Sequence, residues 1–441
     1  MNFSDSEIVV SIMKDQGYEM TGKPEDADAV FLNTCSIRDN AEKRVLRRLE
    51  NLQSLRKKKP NLIIGVLGCM AERVKESLLE EAEIGMRIDM VVGPDAYRDL
   101  PYLIRDAESG HKAINVILST EETYADLTPV RYDSNGVSAF ISIMRGCENF
   151  CSYCVVPGTR GKERSRSPKT IVSEAGQLYE RGYREITLLG QNVNSFMWDC
   201  STDRDVINFP ALIDNIAKKH PLMRIRFATS HPKDLSDDLI SVIASNPNIC
   251  RSIHLPVQSG SNPVLKRMNR KYTAESYMER VQSIRDRIPG CTVSTDIISG
   301  FCGETEEDHR RTMSLMKKAG FDFAYMFKYS ERPGTLAESS FEDDVPDDVK
   351  TRRLEEIINL QQELSHESNL SDVGKVFEVL VEGVSKRSNE NVMGRNSQNK
   401  VVIFKDKGFK AGTYVSVEIK QCTSATLLGE AVAVSEQCGG E

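Results

Sequence analysis

The sequence predicts an α/β protein in three stretches: an N-terminal doubly wound parallel sheet, a central partial (β/α)6 TIM-like barrel, and a small C-terminal β-barrel. Three observations predict it. Helix-period and strand-length apolar runs alternate over residues 1–125. A strand-then-helix unit repeats six times between residues 137 and 345. Beyond residue 373, short β-rich runs broken by Gly, Asn and Ser replace that alternation. The expected domains are residues 1–130, 131–370 and 371–441.

A chain of 441 residues is long enough to bury a full core in two or three domains. It is 39% hydrophobic and 28% charged, which is ordinary for a soluble protein, and its net charge of −7 excludes a polycation. Any nucleic-acid contact must therefore come from local patches. No apolar run approaches the length that spans a bilayer, so no membrane role is expected. The start, Met1-Asn2-Phe3-Ser4-Asp5-Ser6-Glu7, does not resemble a signal peptide. The eleven cysteines then read as metal ligands and free thiols of a cytoplasmic protein, not as a disulfide framework.

In the first stretch, Ser4-Asp5-Ser6-Glu7 fits a capping box opening an amphipathic helix to about Gln16. Ala27 to Asn33 reads as a buried strand, and Asp39 to Glu42 as a second cap signal. Val45, Leu46, Leu49, Leu52 and Leu55 then share one helical face. Leu62 to Leu67 is an apolar strand, and a helix is expected near 71–81. Cys35 and Cys69 each lie just past a strand end, where open parallel sheets bind ligands. Two ligands facing one crevice and two buried structural thiols are both compatible with that placement. The chain opens on a helix where a doubly wound domain usually opens on a strand, so the first strand is expected upstream of Met1.

In the second stretch, strands are expected at 138–144, 185–190, 224–229, 251–255, 292–298 and 322–328. Helices are expected near 168–181, 210–219, 235–245, 274–287 and 304–319, with a polar helix from about 346 to 370 leading out. In the last stretch, strands are expected at 375–382, 399–404, 413–420 and 426–434. Small β-barrels often bind oligonucleotides. Residues 371–441 carry nine basic and nine acidic side chains, so charge alone does not establish binding there.

The most informative element follows the first barrel strand: Cys147, Cys151 and Cys154, spaced C-x3-C-x2-C. A closed zinc site takes four ligands. An iron–sulfur cubane has four irons, each normally held by one thiolate. Three thiolates on one tight loop leave one iron open to a substrate or cosubstrate. The alternatives are zinc with a distant histidine and buried unliganded thiols. Close behind comes Arg160-Gly161-Lys162-Glu163-Arg164-Ser165-Arg166, with four basic residues in seven. Guanidinium groups suit bidentate phosphate contact, and the alternative is a solvated basic loop. A second basic run, Arg56-Lys57-Lys58-Lys59, is expected to close a surface helix and complement its dipole. His231 and His254 sit past strand ends, as substrate contacts or as hydrogen-bonded structural histidines. Cys200, Cys250, Cys291, Cys302, Cys422 and Cys438 lack ligand spacing and read as packing or incidental thiols.

These residues resemble the radical S-adenosylmethionine (SAM) methylthiotransferase family over nearly the whole chain. The likeness rests on the cysteine triplet and on several strings. They include Asn33-Thr34-Cys35-Ser36-Ile37-Arg38-Asp39-Asn40-Ala41-Glu42, Gly68-Cys69-Met70-Ala71-Glu72-Arg73, Gln191-Asn192-Val193-Asn194-Ser195 and His254-Leu255-Pro256-Val257-Gln258-Ser259-Gly260-Ser261. The string around Cys35 and the basic string around Arg164 resemble the MiaB-type, tRNA-modifying branch. They differ from the branches acting on a ribosomal protein or on threonylcarbamoyl-adenosine.

The resemblance implies a radical SAM barrel and a C-terminal TRAM domain. It implies two [4Fe–4S] clusters, one on Cys147, Cys151 and Cys154, the other an auxiliary cluster on Cys35, Cys69 and a third cysteine expected upstream of Met1. It implies conversion of N6-isopentenyladenosine at tRNA position 37 to its 2-methylthio form. One SAM is cleaved to a 5′-deoxyadenosyl radical that activates the adenine C–H bond, and a second supplies the methyl group. Tyr153 is then a candidate to pack on the SAM adenine, or to cover the cluster. Gln191 and Asp296 are candidate SAM partners, or caps of the helices that follow. Arg160, Arg164 and Arg166 are candidate contacts for tRNA or SAM. The implied partners are a tRNA anticodon stem-loop and an electron donor such as flavodoxin or ferredoxin, and the protein is expected to be a monomer. The alternatives are a methylthiotransferase for threonylcarbamoyl-adenosine or a ribosomal protein, and a non-catalytic RNA-binding metalloprotein.

Overall fold

A computed structural model of the chain describes residues 1–35, 39–78, 80, 86–132, 135–199, 206–386 and 388–434. It divides into two compact units. One comprises Met1–Tyr132, Met144–Arg166 and Ser330–Ser340; the other comprises Asp133–Ile143, Ser167–Tyr329 and Phe341–Glu441. This differs from three consecutive domains: the segment after the first barrel strand packs with the N-terminal sheet.

In the first unit β1 (Ala29–Thr34), β2 (Ile63–Gly68), β3 (Met90–Val92) and β4 (Ala113–Asn115) form a parallel sheet in that order. All six residues of β2 are buried, as a central parallel strand covered on both faces requires. Its two faces feed two cores. Ile63 and Leu67 pack with Ile8 and Ile12 of α1 (Asn2–Asp15) and with Leu103 and Ile104 of the helix Leu100–Glu108. Ile64 and Val66 pack with Leu49 and Leu52 of α2 (Asp39–Arg56) and with Met70 of α3 (Cys69–Val74).

Three local expectations change. Helix α1 starts at Asn2 with no side-chain cap, so Ser4-Asp5-Ser6-Glu7 lies inside the helix instead of capping it. Asp5 and Glu7 are buried, and Glu7 pairs with Arg131. The helix expected near 71–81 begins at Cys69, and a 3-10 turn, Lys75–Leu78, follows it; residues 79 and 81–85 lie outside the described chain. Gly68 permits this early start. Its φ is 90°, and a Cβ there would stand 2.7 Å from the Thr34 carbonyl oxygen. Arg56 is not a solvated helix end either: it is buried, donates to the Leu62 and Arg87 carbonyls and pairs with Asp89.

In the second unit the six expected parallel strands are present. They are β5 (Ser138–Ser142), β6 (Glu185–Leu189), β7 (Arg224–Ala228), β8 (Ser252–His254), β9 (Thr292–Ser299) and β10 (Phe323–Lys328). β5, β6 and β7 pair in one row and β8, β9 and β10 in another, and a parallel bridge from Ile225 to Ile249 links the rows. Helices at 168–180, 209–219, 237–245, 274–287 and 306–319 follow the first five strands in turn, and the long helix Asp347–Leu370 leads out. No helix among the described residues is long and apolar enough to cross a membrane.

The C-terminal strands are β11 (Val376–Ser385), β12 (Ser388–Asn396), β13 (Val401–Lys405), β14 (Tyr414–Cys422) and β15 (Leu427–Val434). They close a barrel in the order β11-β12-β13-β15-β14 around Val379, Val392, Phe404, Val417 and Ile419. The sequence reading omits β12. Its composition is polar, with only Val392 and Met393 strongly apolar, and pairing on both sides holds it in place. Within this unit, Arg224 and Arg226 donate to the carbonyls of Glu378, Arg395, Asn396 and Ser397, so barrel and tail are joined through buried guanidinium groups.

Gly394 makes β12 possible, because a Cβ there would stand 2.0 Å from the Leu380 carbonyl oxygen. Gly394→Ala is expected to part β11 from β12 and to destabilise the C-terminal barrel by about 1–3 kcal/mol. Hydrogen exchange read strand by strand checks this: protection falls in β11 and β12 and is unchanged in β1 and β2.

Candidate active site

The cysteine loop hangs from a two-rung antiparallel ladder, Met144 to Ser165 and Arg145 to Arg164. The chain leaves that ladder through Gly146, with φ 81°, where a Cβ would stand 1.9 Å from the Lys162 carbonyl oxygen. Only glycine fits so close an approach. The Cys147 N–H donates to the Gly161 carbonyl at 3.2 Å and the Cys154 N–H to the Cys151 carbonyl at 3.0 Å, so the loop is tied at its base and at its tip. All three thiols are half-buried. Burial pushes the Cys147 thiol up to about 11, so binding a metal there must displace its proton. Tyr153 is half-buried between the second and third cysteines.

The rungs and the short helix Val156–Arg160 bring three arginines into the first unit, all buried. Arg145 pairs with Asp5 at 3.0 Å and with Asp95 at 3.5 Å. Arg164 grips both oxygens of Asp95, at 2.9 and 3.0 Å. Arg160 pairs with Asp5 at 2.5 Å, and its Nε donates to Cys69 Sγ at 3.1 Å. Burial alone would raise the Asp5 carboxyl; Arg160 and Arg145 outweigh it and hold the group at about 2. The arginines expected to meet phosphate thus differ from the prediction. Arg160 and Arg164 are turned inward onto carboxylates, and Arg166 is buried as well.

Cys69 is buried as the first residue of α3, and Cys35 is half-buried just after β1. The register pairs Thr34 with Gly68, which sets the two cysteines side by side past the carboxyl ends of neighbouring strands. Glu72, one turn beyond Cys69, is buried against Gly93; one of its carboxylate oxygens has no hydrogen-bond partner, and Lys75 stands 3.7 Å from the other. Burial pushes its carboxyl up to about 7. Sequence reasoning missed Asp5, Glu72, Asp95 and Arg145. One signal was available: Asp5 shares an i, i+3, i+7 face with Ile8 and Ile12, and a carboxylate on an apolar face needs a buried partner.

The second unit has a set of its own at the carboxyl ends of its strands. Gln191 Oε1, Asn192 Oδ1 and Asn194 Nδ2, just past β6, are buried with no hydrogen-bond partner. Asp296 lies in the middle of β9, not near its end, and so caps no helix. Its carboxylate stands 3.4 Å from His254 Nε2, whose other ring nitrogen meets Ser294 Oγ at 3.0 Å. His231 is a structural histidine: Nδ1 accepts the Lys233 N–H at 3.3 Å, and burial and Arg270 hold the ring neutral, at about 2. Cys250 and Cys302 are buried, Cys291 and Cys422 half-buried, and Cys200 and Cys438 lie outside the described residues.

The donor chemistry fits an iron–sulfur cluster with a bound cosubstrate. Three soft thiols share one loop, and three ligands leave one iron of a cubane open. Among the described residues no three His, Cys, Asp or Glu side chains converge as closely as the ligands of one ion do. Cubane ligands are spaced more widely, because each holds its own iron. The three unpaired amide atoms past β6 fit a polar ligand, since buried polar atoms are costly to leave unpaired.

A six-strand parallel barrel whose first strand is followed by such a loop defines a radical SAM enzyme. The Radical SAM superfamily pattern matches residues 141–316, the uncharacterized protein family UPF0004 residues 1–93, and the TRAM domain residues 370–432. The fold resembles the radical S-adenosylmethionine methyltransferase TsrM from Kitasatospora setae, with a TM-score of 0.54 over 76% of this chain and 72% of that one; at 14% identity the likeness shows the fold alone. Full-length relatives narrow the class. The tRNA-2-methylthio-N(6)-dimethylallyladenosine synthase of Parabacteroides distasonis is 56% identical over 98% of this chain and 93% of its own length. That of Amoebophilus asiaticus is 57% identical, over 98% of this chain and 90% of its own. The chain belongs to this family of MiaB-type radical SAM methylthiotransferases, which implies SAM and a [4Fe–4S] cluster.

Glu72 gives a pH signature. The folded protein keeps its proton up to about 7, whereas the unfolded chain loses it near 4.5, so stability falls as pH rises through that window. In metal-free protein, Glu72→Gln is expected to flatten the slope of unfolding free energy there by up to about 1.4 kcal/mol per pH unit. Urea titrations from acid to neutral pH measure it; equal slopes in variant and parent contradict it.

Proposed function

We propose that this protein methylthiolates tRNA in the cytoplasm, converting N6-isopentenyladenosine at position 37 to 2-methylthio-N6-isopentenyladenosine. Identity above half with synthases of that name over nearly the whole chain carries the proposal, together with the three-thiol loop. Cys147, Cys151 and Cys154 would hold the catalytic cluster. Cys35 and Cys69 would supply thiolates to an auxiliary cluster. When bound, the catalytic cluster supplies the one-electron reductive cleavage of SAM, driven by a small electron carrier such as flavodoxin or ferredoxin.

The chain's own residues do the rest. The unpaired Gln191 Oε1, Asn192 Oδ1 and Asn194 Nδ2 offer hydrogen bonds to the polar groups of SAM. Asp296, steadied by His254, offers a carboxylate acceptor. Tyr153 offers an aromatic face beside the thiols. Arg160, Arg164 and Arg166 are buried, and residues 370–432, which match the TRAM domain, are the better candidates for tRNA contact.

The test is nucleoside mass spectrometry of tRNA from a deletion strain. Complementation with the parent gene is expected to restore the 2-methylthio nucleoside, and complementation with Cys147→Ala to leave the isopentenyl precursor. Persistence of the 2-methylthio form in the deletion strain, with no second enzyme present, rules the proposal out. Anaerobic reconstitution of the complete protein is expected to give about eight irons per chain, and about four after Cys147→Ala.

A further inference from the structure

Arg160 does something its sequence position does not suggest. It ends the helix Val156–Arg160, six residues after Cys154, yet its side chain is only 2% exposed and reaches the other cysteine site. Nε donates to Cys69 Sγ at 3.1 Å and Nη2 to Asp5 Oδ2 at 2.5 Å, whereas Nη1 is buried with no hydrogen-bond partner. A guanidinium carries five N–H donors, and leaving a buried pair unsatisfied is costly. The surrounding charge is also unbalanced. Three buried arginines, Arg145, Arg160 and Arg164, face two carboxylates, Asp5 and Asp95. Glu72, pushed toward its neutral form, offsets little of the excess.

We propose that Arg160 is a positioning residue for an anionic iron–sulfur group on Cys69. Its Nε–H holds the ligand sulfur, and its Nη1 donors face the group's other sulfur atoms. The inference rests on the auxiliary-cluster reading above. A cationic donor on a ligand sulfur stabilises the more negative, reduced state and so raises the reduction potential. One peptide segment thus supplies three thiols for one cluster and the cation that tunes the other. No covalent step is involved.

The experiment uses the full-length protein with Cys147, Cys151 and Cys154 all changed to Ala, so that only the Cys35 and Cys69 site remains for iron. The probe is ferrous iron with sulfide, added anaerobically, and the readouts are iron content and the midpoint potential followed by electron paramagnetic resonance. Arg160→Gln is expected either to lower the midpoint or to lose iron while circular dichroism and melting show a folded chain. Arg160→Lys keeps the charge but not the fork, and is expected to fall between Arg160→Gln and the parent; it also serves as the readable variant should glutamine unfold the unit. Unchanged iron and an unchanged midpoint in folded variants overturn the proposal. No iron in the background protein with Arg160 intact overturns the auxiliary cluster itself, and the proposal with it, which separates the two failures.

Discussion

Two buried carboxylates, Asp5 and Asp95, hold three buried arginines, and the rest of the first unit depends on that cluster of charge. Arg145, Arg160 and Arg164 lie on the segment that carries the cysteine loop; the carboxylates lie on α1 and just after β3. Buried ions of this kind contribute little net stability when complete, but removing one partner strands the others and costs roughly 3–5 kcal/mol. The network therefore acts as a lock. It fixes which way the loop turns relative to the parallel sheet, and it keeps the loop's thiols and Cys69 in one folded unit.

That lock explains why the division of the molecule does not follow the order of the chain. The first barrel strand, β5, belongs to the second unit, and the loop that follows it belongs to the first. The chain passes from one unit to the other between Ile143 and Met144, and Gly146, with no room for a Cβ, follows shortly after. The second unit instead presents amide oxygens and nitrogens past β6, and a carboxylate with a histidine beside it. A chain of net charge −7 thus concentrates buried positive charge where sulfur ligands and their electrons would sit.

Much of this was legible from the residues. Strong apolar periodicity located all six barrel strands and the helices between them, because those elements are buried and their patterns leave little choice. The C-x3-C-x2-C loop was legible for a different reason, since its spacing is chemical and not conformational. What failed were charged and polar residues whose meaning is set by distant partners. Ser4-Asp5-Ser6-Glu7 looks like a capping box, and its Asp5 and Glu7 are ion-pair members inside a helix. Arg160 and Arg164 look like a phosphate-facing loop and are buried, because nothing local distinguishes an arginine facing water from one facing Asp95. Strand β12 was missed because its seat depends on both neighbours and on the absence of a side chain at Gly394.

The central claim is that Asp5 holds the cysteine loop through partners 140 and 155 residues away in sequence. Hydrogen exchange by mass spectrometry on the Asp5→Asn variant tests it most directly. Amides of α1 and of the segment from Cys147 to Arg160 are predicted to lose protection together, with the C-terminal barrel unchanged. Loss confined to α1, with the loop as protected as in the parent, contradicts the account.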